Sequence, residues 1–316
     1  MLIDLGSCIP YNSYKSVNQK KEGLGGYMRI RKAVLPVAGL GTRVLPASKV
    51  IPKEMLPLVD KPTLQYIVEE AVAAGIKEII FVTSRSKRSI EDHFDAFPEL
   101  EAVLERKGKR KELEELRQLQ RMAMYTSVRQ AEPLGLGHAV LCAKELVGDE
   151  PFVVMLGDIL IPPETPCLPE LIEVYEQYKG SVLSLVPLPP EVIPTYGIAT
   201  VEELGSNVVK IPHVVEKPSL EEAPSDLGVY GRYVLTPDIF ELLEQTQPGR
   251  GGEIQVTDAI EMQAQAGRCY GAIYTGTRYD TGTPLGLLTT SIAFALKRPE
   301  MATDLREYMR KALSEQ

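Results

Sequence analysis

The 316-residue chain is poor in the residues that hold soft metals: four cysteines and three histidines. They are scattered, at Cys8, Cys142, Cys167 and Cys269 and at His93, His138 and His213, with no C-x-x-C pair. This dispersal excludes zinc-site spacing and points to a reducing, cytoplasmic setting. No apolar run approaches the roughly 18 residues needed to cross a bilayer. The N-terminus lacks the basic stretch and apolar core of a signal peptide. Positive charge is not in excess either: 35 Lys and Arg against 43 Asp and Glu leave a net charge of −8. A general nucleic-acid or membrane-surface binder is thereby excluded, so an anionic substrate must be gripped by a local cluster of cations. No internal repeat is present, and no linker rich in Gly, Ser or Pro divides the chain.

Hydrophobic content of 44% and charged content of 25% are ordinary for a globular protein of this length. Residues 1–28 stand apart. "NSYKSVNQKKEGLGGY" is polar and glycine-bearing, so a flexible extension is expected there; Met28, directly before "RIRKAVLPVAG", is a second point at which synthesis could begin. From residue 29 strands and helices alternate. "KAVLPVA" (32–38) and "PFVVMLGD" (151–158) read as buried strands, and "KEIIFVT" (77–83) and "YTSVRQ" (125–130) as two further short strands. "TLQYIVEEAVAAG" (63–75), the charged stretch 101–121 and "GLGHAVLCAKELV" (135–147) read as helices. This order predicts an α/β fold: a Rossmann-like, mostly parallel central sheet with helices on both faces.

The second half is richer in strands, at 181–188, 197–203, 207–218 and 227–236, and is read as a smaller β-rich region inserted into the domain. Helices return over 237–266 and after Pro284. The expected division is a catalytic domain over 29–300 and a C-terminal helix, 301–316, with a possible role in oligomerisation. Ligands of open α/β sheets sit beyond the carboxyl ends of the strands, where the motifs of this chain fall.

"LPVAGLGTRVLPASKVIPKEMLPL" (35–58) carries the first motif. It is not a Walker A loop, since Gly41 is followed by Thr42-Arg43, and Val44 occupies the third glycine position of a dinucleotide fingerprint. Its chemistry is nonetheless that of a phosphate cradle. Gly39 and Gly41 let backbone N–H groups approach oxygens closely. Arg43 supplies a bidentate fork and Lys53 a compact charge. Pro46 and Pro52 stiffen the segment between them. A tight strand-to-helix turn with surface cations is the competing reading of these residues alone.

The extended stretch "LPVAGLGTRVLPASKVIPKEMLPLVDKP" resembles the opening motif of the sugar-1-phosphate nucleotidyltransferases, especially bacterial UTP–glucose-1-phosphate uridylyltransferases. The similarity runs from about residue 30 almost to the C-terminus, through "VRQAEPLGLGHAV", "VVMLGD", "YGIATV", "VVEKP", "GRGGEIQVTDAI" and "YDTGTPLG". It implies a fold of the nucleotide-diphospho-sugar transferase type and Mg²⁺-dependent transfer of UMP from UTP to glucose 1-phosphate. By position it implies Ala38, Gly39, Gly41, Thr42, Gln130 and Gly135 as nucleotide-binding residues, and Gly197 and Glu216 as sugar-binding ones. Arg43, Lys53 and Lys217 become the catalytic cations, and Asp158 and Asp280 the metal ligands. Thr257 and Asp258 are given no catalytic role. Gly157 and Thr283 depart from the uridylyltransferase pattern, so a thymidylyltransferase, or a uridylyltransferase for another hexose 1-phosphate, stays open beside it. A non-catalytic nucleotide-sugar-binding protein is the reading from another class. The implied partners are small molecules and further copies of the chain, as a homodimer or homotetramer.

Overall fold

Neighbouring residues of the first strand divide the molecule into two layers. Val34 packs with Ile80, Val82 and Val154 on one face of the sheet, and Leu35 with Ile79, Phe81, Val153 and Met155 on the other. A strand whose alternate side chains are both buried must be covered on both faces. The structure, a computed structural model, describes residues 29–315. The extension expected over 1–28 lies outside the described residues.

Thirteen strands are present among them: β1 (Lys32–Pro36), β2 (Pro57–Leu58), β3 (Lys61–Pro62), β4 (Glu78–Thr83), β5 (Met124–Arg129), β6 (Phe152–Met155), β7 (Ile159–Leu160), β8 (Ser181–Pro187), β9 (Gly197–Gly205), β10 (Val208–Glu216), β11 (Leu227–Leu235), β12 (Cys269–Ile273) and β13 (Tyr279–Asp280). The helices are α1 (Thr63–Ala73), α2 (Arg88–Phe94), α3 (Pro98–Arg106), α4 (Arg110–Arg121), α5 (Leu136–Cys142), α6 (Lys144–Val147), α7 (Leu168–Tyr178), α8 (Ile239–Gln245), α9 (Val256–Gln265), α10 (Pro284–Leu296) and α11 (Pro299–Ser314).

Nine strands form one sheet in the order β5-β4-β1-β6-β11-β8-β12-β10-β9. It is parallel from β5 through β6, as the βα alternation predicts. Beyond β6 it turns antiparallel at β11, with one further parallel pair between β12 and β8. The strands of the β-rich half extend the same sheet. The sequence shows strands there, but their period-2 pattern does not say which neighbour each will take.

Helices α1, α2 and α7 cover one face through Leu64, Ile67, Ile90, Phe94, Leu168 and Leu171. Helices α5, α8 and α9 cover the other through Val140, Phe240, Leu243 and Ile260. Each large side chain so buried contributes about 1.5–3 kcal/mol relative to exposure. The charged stretch 101–121 is two helices, not one, because Gly108 takes a left-handed φ of 67° between α3 and α4. Among the described residues no helix is long and apolar enough to cross a membrane.

Candidate active site

After β1 the chain leaves the sheet in three single 3₁₀ turns, Thr42–Val44, Ala47–Lys49 and Lys53–Met55. Gly41 starts the first in the left-handed region, at φ 67° and ψ 30°. A side chain there would be strained, and its Cβ would lie 3.2 Å from the Ser48 Cβ and 3.3 Å from the Lys53 Cβ. The Gly41 carbonyl accepts the Ser48 hydroxyl at 2.7 Å and the Val44 N–H at 3.1 Å, which folds the loop back on itself. Ala38 is buried while Gly39 and Thr42 are exposed.

Two cations of this loop converge on one carboxylate. Lys53 Nζ lies 2.6 Å from Oδ2 of Asp158, and Arg43 Nη2 lies 3.3 Å from the same oxygen. Lys53 is largely enclosed, at 19% side-chain exposure, whereas Arg43 is open at 60%. Asp158 stands in the turn between β6 and β7, and β7 pairs antiparallel with β13, setting Asp280 opposite Ile159. The Asp158 carbonyl accepts the N–H of Thr281 at 2.8 Å and its hydroxyl at 3.0 Å. A methyl group placed on Gly282 would lie 2.8 Å from Arg43 Nη2, 2.9 Å from Asp280 Oδ1 and 3.0 Å from Asp158 Oδ2. Three charged groups, far apart in the chain, thus surround one point.

Among the described residues no group of three or more His, Cys, Asp and Glu side chains gathers. Two carboxylates nonetheless suit Mg²⁺, which keeps several waters and is held by one or two carboxylates together with substrate phosphates. The donor set fits that ion and does not fit zinc.

A buried ion pair braces the lysine. Lys87 Nζ meets Glu54 Oε2 at 2.7 Å, the two side chains being 4% and 1% exposed. Burial pushes the Glu54 carboxyl up, while Lys87 and then Lys53 oppose the shift. Glu54 lies beneath Gly157, where a Cβ would come within 3.0 Å of the Glu54 Cγ. The departure at 157 therefore has a local reason: it leaves room for this side chain.

The segment that carries Gln130 and Gly135 follows β5. Gln130 is 7% exposed, and its amide NH₂ donates to the Gly135 carbonyl at 3.0 Å and lies 3.1 Å from His138 Nδ1. Gly135, at φ 99°, starts α5 against the Glu253–Ile254 backbone. A Cβ on it would lie 2.7 Å from the Glu253 Cβ and 2.8 Å from the Ile254 carbonyl oxygen. The Ile254 N–H donates to the Leu134 carbonyl at 2.8 Å, and the Gly137 N–H to the Ile254 carbonyl at 2.8 Å. The "GEIQ" stretch is thus stitched to the loop that holds Gln130.

Farther along the sheet, Gly197 opens β9 opposite Glu216, the last residue of β10. Glu216 Oε2 accepts the Thr257 hydroxyl at 2.6 Å, and Oε1 lies 2.8 Å from Lys217 Nζ. Thr257 thus has a definite task, orienting Glu216. Asp258 beside it has its carboxyl pushed up, by burial first and then by the charge of Glu216. Lys217 occupies the left-handed region at φ 46°, a conformation that costs a non-glycine residue about 1 kcal/mol or more and gathers at functional sites.

The two halves of the site meet through tyrosines. The Lys217 N–H donates to the Tyr196 carbonyl at 3.0 Å. Burial, then the negative charges of Asp280 and Asp158, push the Tyr196 phenol up, with Arg278 and Arg43 opposing. The Tyr233 phenol is raised by burial, by Glu216 and by Asp158. Tyr196 thus holds Lys217 through its backbone carbonyl, while its phenol feels Asp280, Asp158 and Arg43. Sequence reasoning missed Thr281, the Glu54–Lys87 pair and Arg232, a fully buried arginine in β11. Only Arg232 carried a signal, as a lone charge inside the apolar run "LGVYGRYVL".

Comparison with known proteins gives the family of the chain. A family model described as nucleotidyl transferase matches residues 32–295. The chain is 48% identical over 288 residues to a UTP–glucose-1-phosphate uridylyltransferase of Bacillus subtilis (strain 168), covering 91% of this chain and 99% of that protein. A UTP-bound UGPase from Acinetobacter baumannii superposes with a TM-score of 0.82 at 42% identity, covering 89% of this chain and 98% of that one. A UDP-glucose pyrophosphorylase complexed with UDP-glucose superposes with a TM-score of 0.78 at 43% identity, covering 85% and 100%.

Proposed function

The chain belongs to the nucleotidyl transferase family, and from that premise we propose that it transfers UMP from UTP to glucose 1-phosphate, forming UDP-glucose and pyrophosphate. The observation that carries this reading is the meeting of Arg43 and Lys53 on Asp158, with Asp280 across Gly282. A triphosphate needs such a concentration of cations on a chain that is otherwise acidic.

In this reading backbone groups of Ala38, Gly39, Gly41 and Thr42 cradle the triphosphate. Gln130 and Gly135 face the uracil edge, with an amide that can both donate and accept. Gly197 permits close approach of the hexose, Glu216 accepts its hydroxyls, and Lys217 holds its phosphate. An oxygen of that phosphate attacks the α-phosphorus in line, the bond to the β-phosphate oxygen breaks, and pyrophosphate departs with the electron pair. Arg43 and Lys53 neutralise the charge that develops on it. The nucleophile is already ionised, so no general base is required; positioning and electrostatic stabilisation carry the rate. Asp158 and Asp280 would hold Mg²⁺, which neutralises charge on the phosphate oxygens when bound.

The proposed setting is the cytoplasm, supported by Cys142, Cys167 and Cys269 being free thiols. The proposed assembly is a homodimer or homotetramer, supported by Leu285 and Leu288 on α10 and Tyr308 and Leu313 on α11, which are exposed by 58% or more. The proposed catalytic unit remains residues 29–300.

The deciding assay is pyrophosphate release with Mg²⁺ across a grid of nucleoside triphosphates and hexose 1-phosphates. UTP with glucose 1-phosphate should give the highest kcat/KM. A higher value with dTTP, or with another hexose 1-phosphate, would replace the specificity assigned here, and no release with any pair would reject the enzymatic reading.

A further inference from the structure

β11 is buried along nearly its whole length, and one charge sits inside it. Arg232 has no exposed surface and is the largest fully buried side chain among the described residues. A guanidinium can be kept in such a place only if its donors are engaged. Nε and Nη2 meet the Glu70 carboxylate at 3.0 and 2.7 Å, a bidentate fork. Nη2 also donates to the Ile159 carbonyl at 2.8 Å and Nη1 to the Gly231 carbonyl at 3.0 Å, with the Leu156 carbonyl at 3.5 Å.

These carbonyls matter by their position. Leu156 and Ile159 flank Gly157 and Asp158. The Leu156 N–H is in turn held by the Gly231 carbonyl at 3.0 Å. A Cβ on Gly231 would lie 2.9 Å from Ile159 Cγ1, so β11 and the Asp158 turn are in direct contact. The pairing of β11 with β8 slips register between Val229 and Tyr233, while Arg232 stays paired with Met155 of β6. Glu70, at the other end of the fork, belongs to α1, the helix that directly follows the phosphate loop. One side chain therefore ties the Asp158 turn to the helix packed against the Lys53–Met55 turn.

A buried ion pair is weak evidence of stabilisation by itself, since apolar replacements of both partners are often neutral or better. A fork that also holds backbone carbonyls beside a reactive carboxylate has a geometric role. We propose that Arg232 is a positioning residue for Asp158, fixing the Leu156–Ile159 turn to α1 so that the carboxylate stands where the nucleotide phosphates and their metal meet. This rests on the reading of Asp158 given under the proposed function.

Three chains are compared: wild type, Arg232→Lys, and the double variant Glu70→Met with Arg232→Met. Lysine keeps the charge and loses the fork; the double variant removes both charges and leaves neither partner stranded. Melting temperature, kcat, half-saturating Mg²⁺ and Mn²⁺ binding in the presence of UTP, followed by electron paramagnetic resonance, are measured for each. The double variant should melt close to wild type. Both variants should lose about 10- to 100-fold in kcat and in Mn²⁺ affinity, the usual cost of releasing a residue that orients a metal ligand. KM for glucose 1-phosphate should stay within about threefold, because Lys217 and Glu216 are untouched. A double variant that melts like wild type and matches it in Mn²⁺ affinity and kcat would overturn the proposal and leave Arg232 a packing residue. Absence of UDP-glucose formation by wild type would instead reject the functional reading, with the Mn²⁺ comparison still deciding the role of Arg232.

Discussion

Thr281 grips the backbone carbonyl of Asp158 twice, with its N–H at 2.8 Å and its hydroxyl at 3.0 Å. Asp280, one residue before, is the other proposed metal ligand, so the spacing between the two carboxylates is set by main chain. Replacing Thr281 by Val removes the hydroxyl bond and keeps the amide one. The expected result is a modest loss, within about tenfold in kcat, with half-saturating Mg²⁺ raised by a similar factor. Steady-state rates over a Mg²⁺ titration check this; an unchanged half-saturation would show that the amide bond alone holds the turn.

Lys217→Ala removes the amine that Glu216 holds at 2.8 Å. Turnover should fall about 100-fold or more, as for the loss of one preorganised donor to developing charge. UTP affinity, measured by calorimetry, should not change, because the triphosphate cations Arg43 and Lys53 lie in a different loop. A rate close to wild type would remove Lys217 from the chemistry.

Gly135→Ala places a methyl 2.7 Å from the Glu253 Cβ and 2.8 Å from the Ile254 carbonyl, at a φ of 99°. Overpacking and backbone strain together should cost about 2–4 kcal/mol. The loop that carries Gln130 is the part displaced, so weaker UTP binding should accompany the lower melting temperature. An unaltered melting curve would contradict the packing described.

Arg298 clamps Asp60 bidentately at 2.6 and 2.5 Å, and this hydrogen bonding holds the Asp60 carboxyl below its usual range. A carboxylate with a depressed folded-state pKa stabilises the protein above its unfolded pKa, about 3.9, and that contribution is lost as pH falls through the folded value. The side chain of Asp60 is 65% exposed, so solvent screening keeps the effect small, about 0.2–1 kcal/mol. Arg298→Met should therefore melt slightly below wild type at pH 7, and the two curves should draw together below about pH 3.9. A gap that persists in acid would assign the loss to the hydrogen bond that Arg298 donates to the Tyr66 hydroxyl instead.

The parallel half of the fold was legible because each strand there is a short apolar run between helices, and βα units leave little choice of neighbour. The antiparallel half was legible only as strands. Partner choice among β8 to β12 depends on contacts between residues far apart in sequence, which a period of two does not encode. Arg43, Lys53 and Asp158 could be named from their motifs, and the structure places them within reach of one another. Thr281 and Thr257 could not be given their tasks from sequence, since a hydroxyl that caps a helix and one that orients a carboxylate look the same in a string of letters. Glu54 was hidden in another way: a glutamate between Lys53 and Met55 reads as solvent-facing, and only the fold reveals Lys87 waiting for it.

The sheet runs unbroken from β5, which leads to Gln130, to β9, which Gly197 opens. In the proposed reading both reactants rest on a single deck with no articulated joint between their berths. Whatever brings nucleophile and electrophile together must be done by the loops above it. A substitution that weakened the β6–β11 seam would accordingly act as a change of distance between substrates, felt in turnover before it was felt in either affinity.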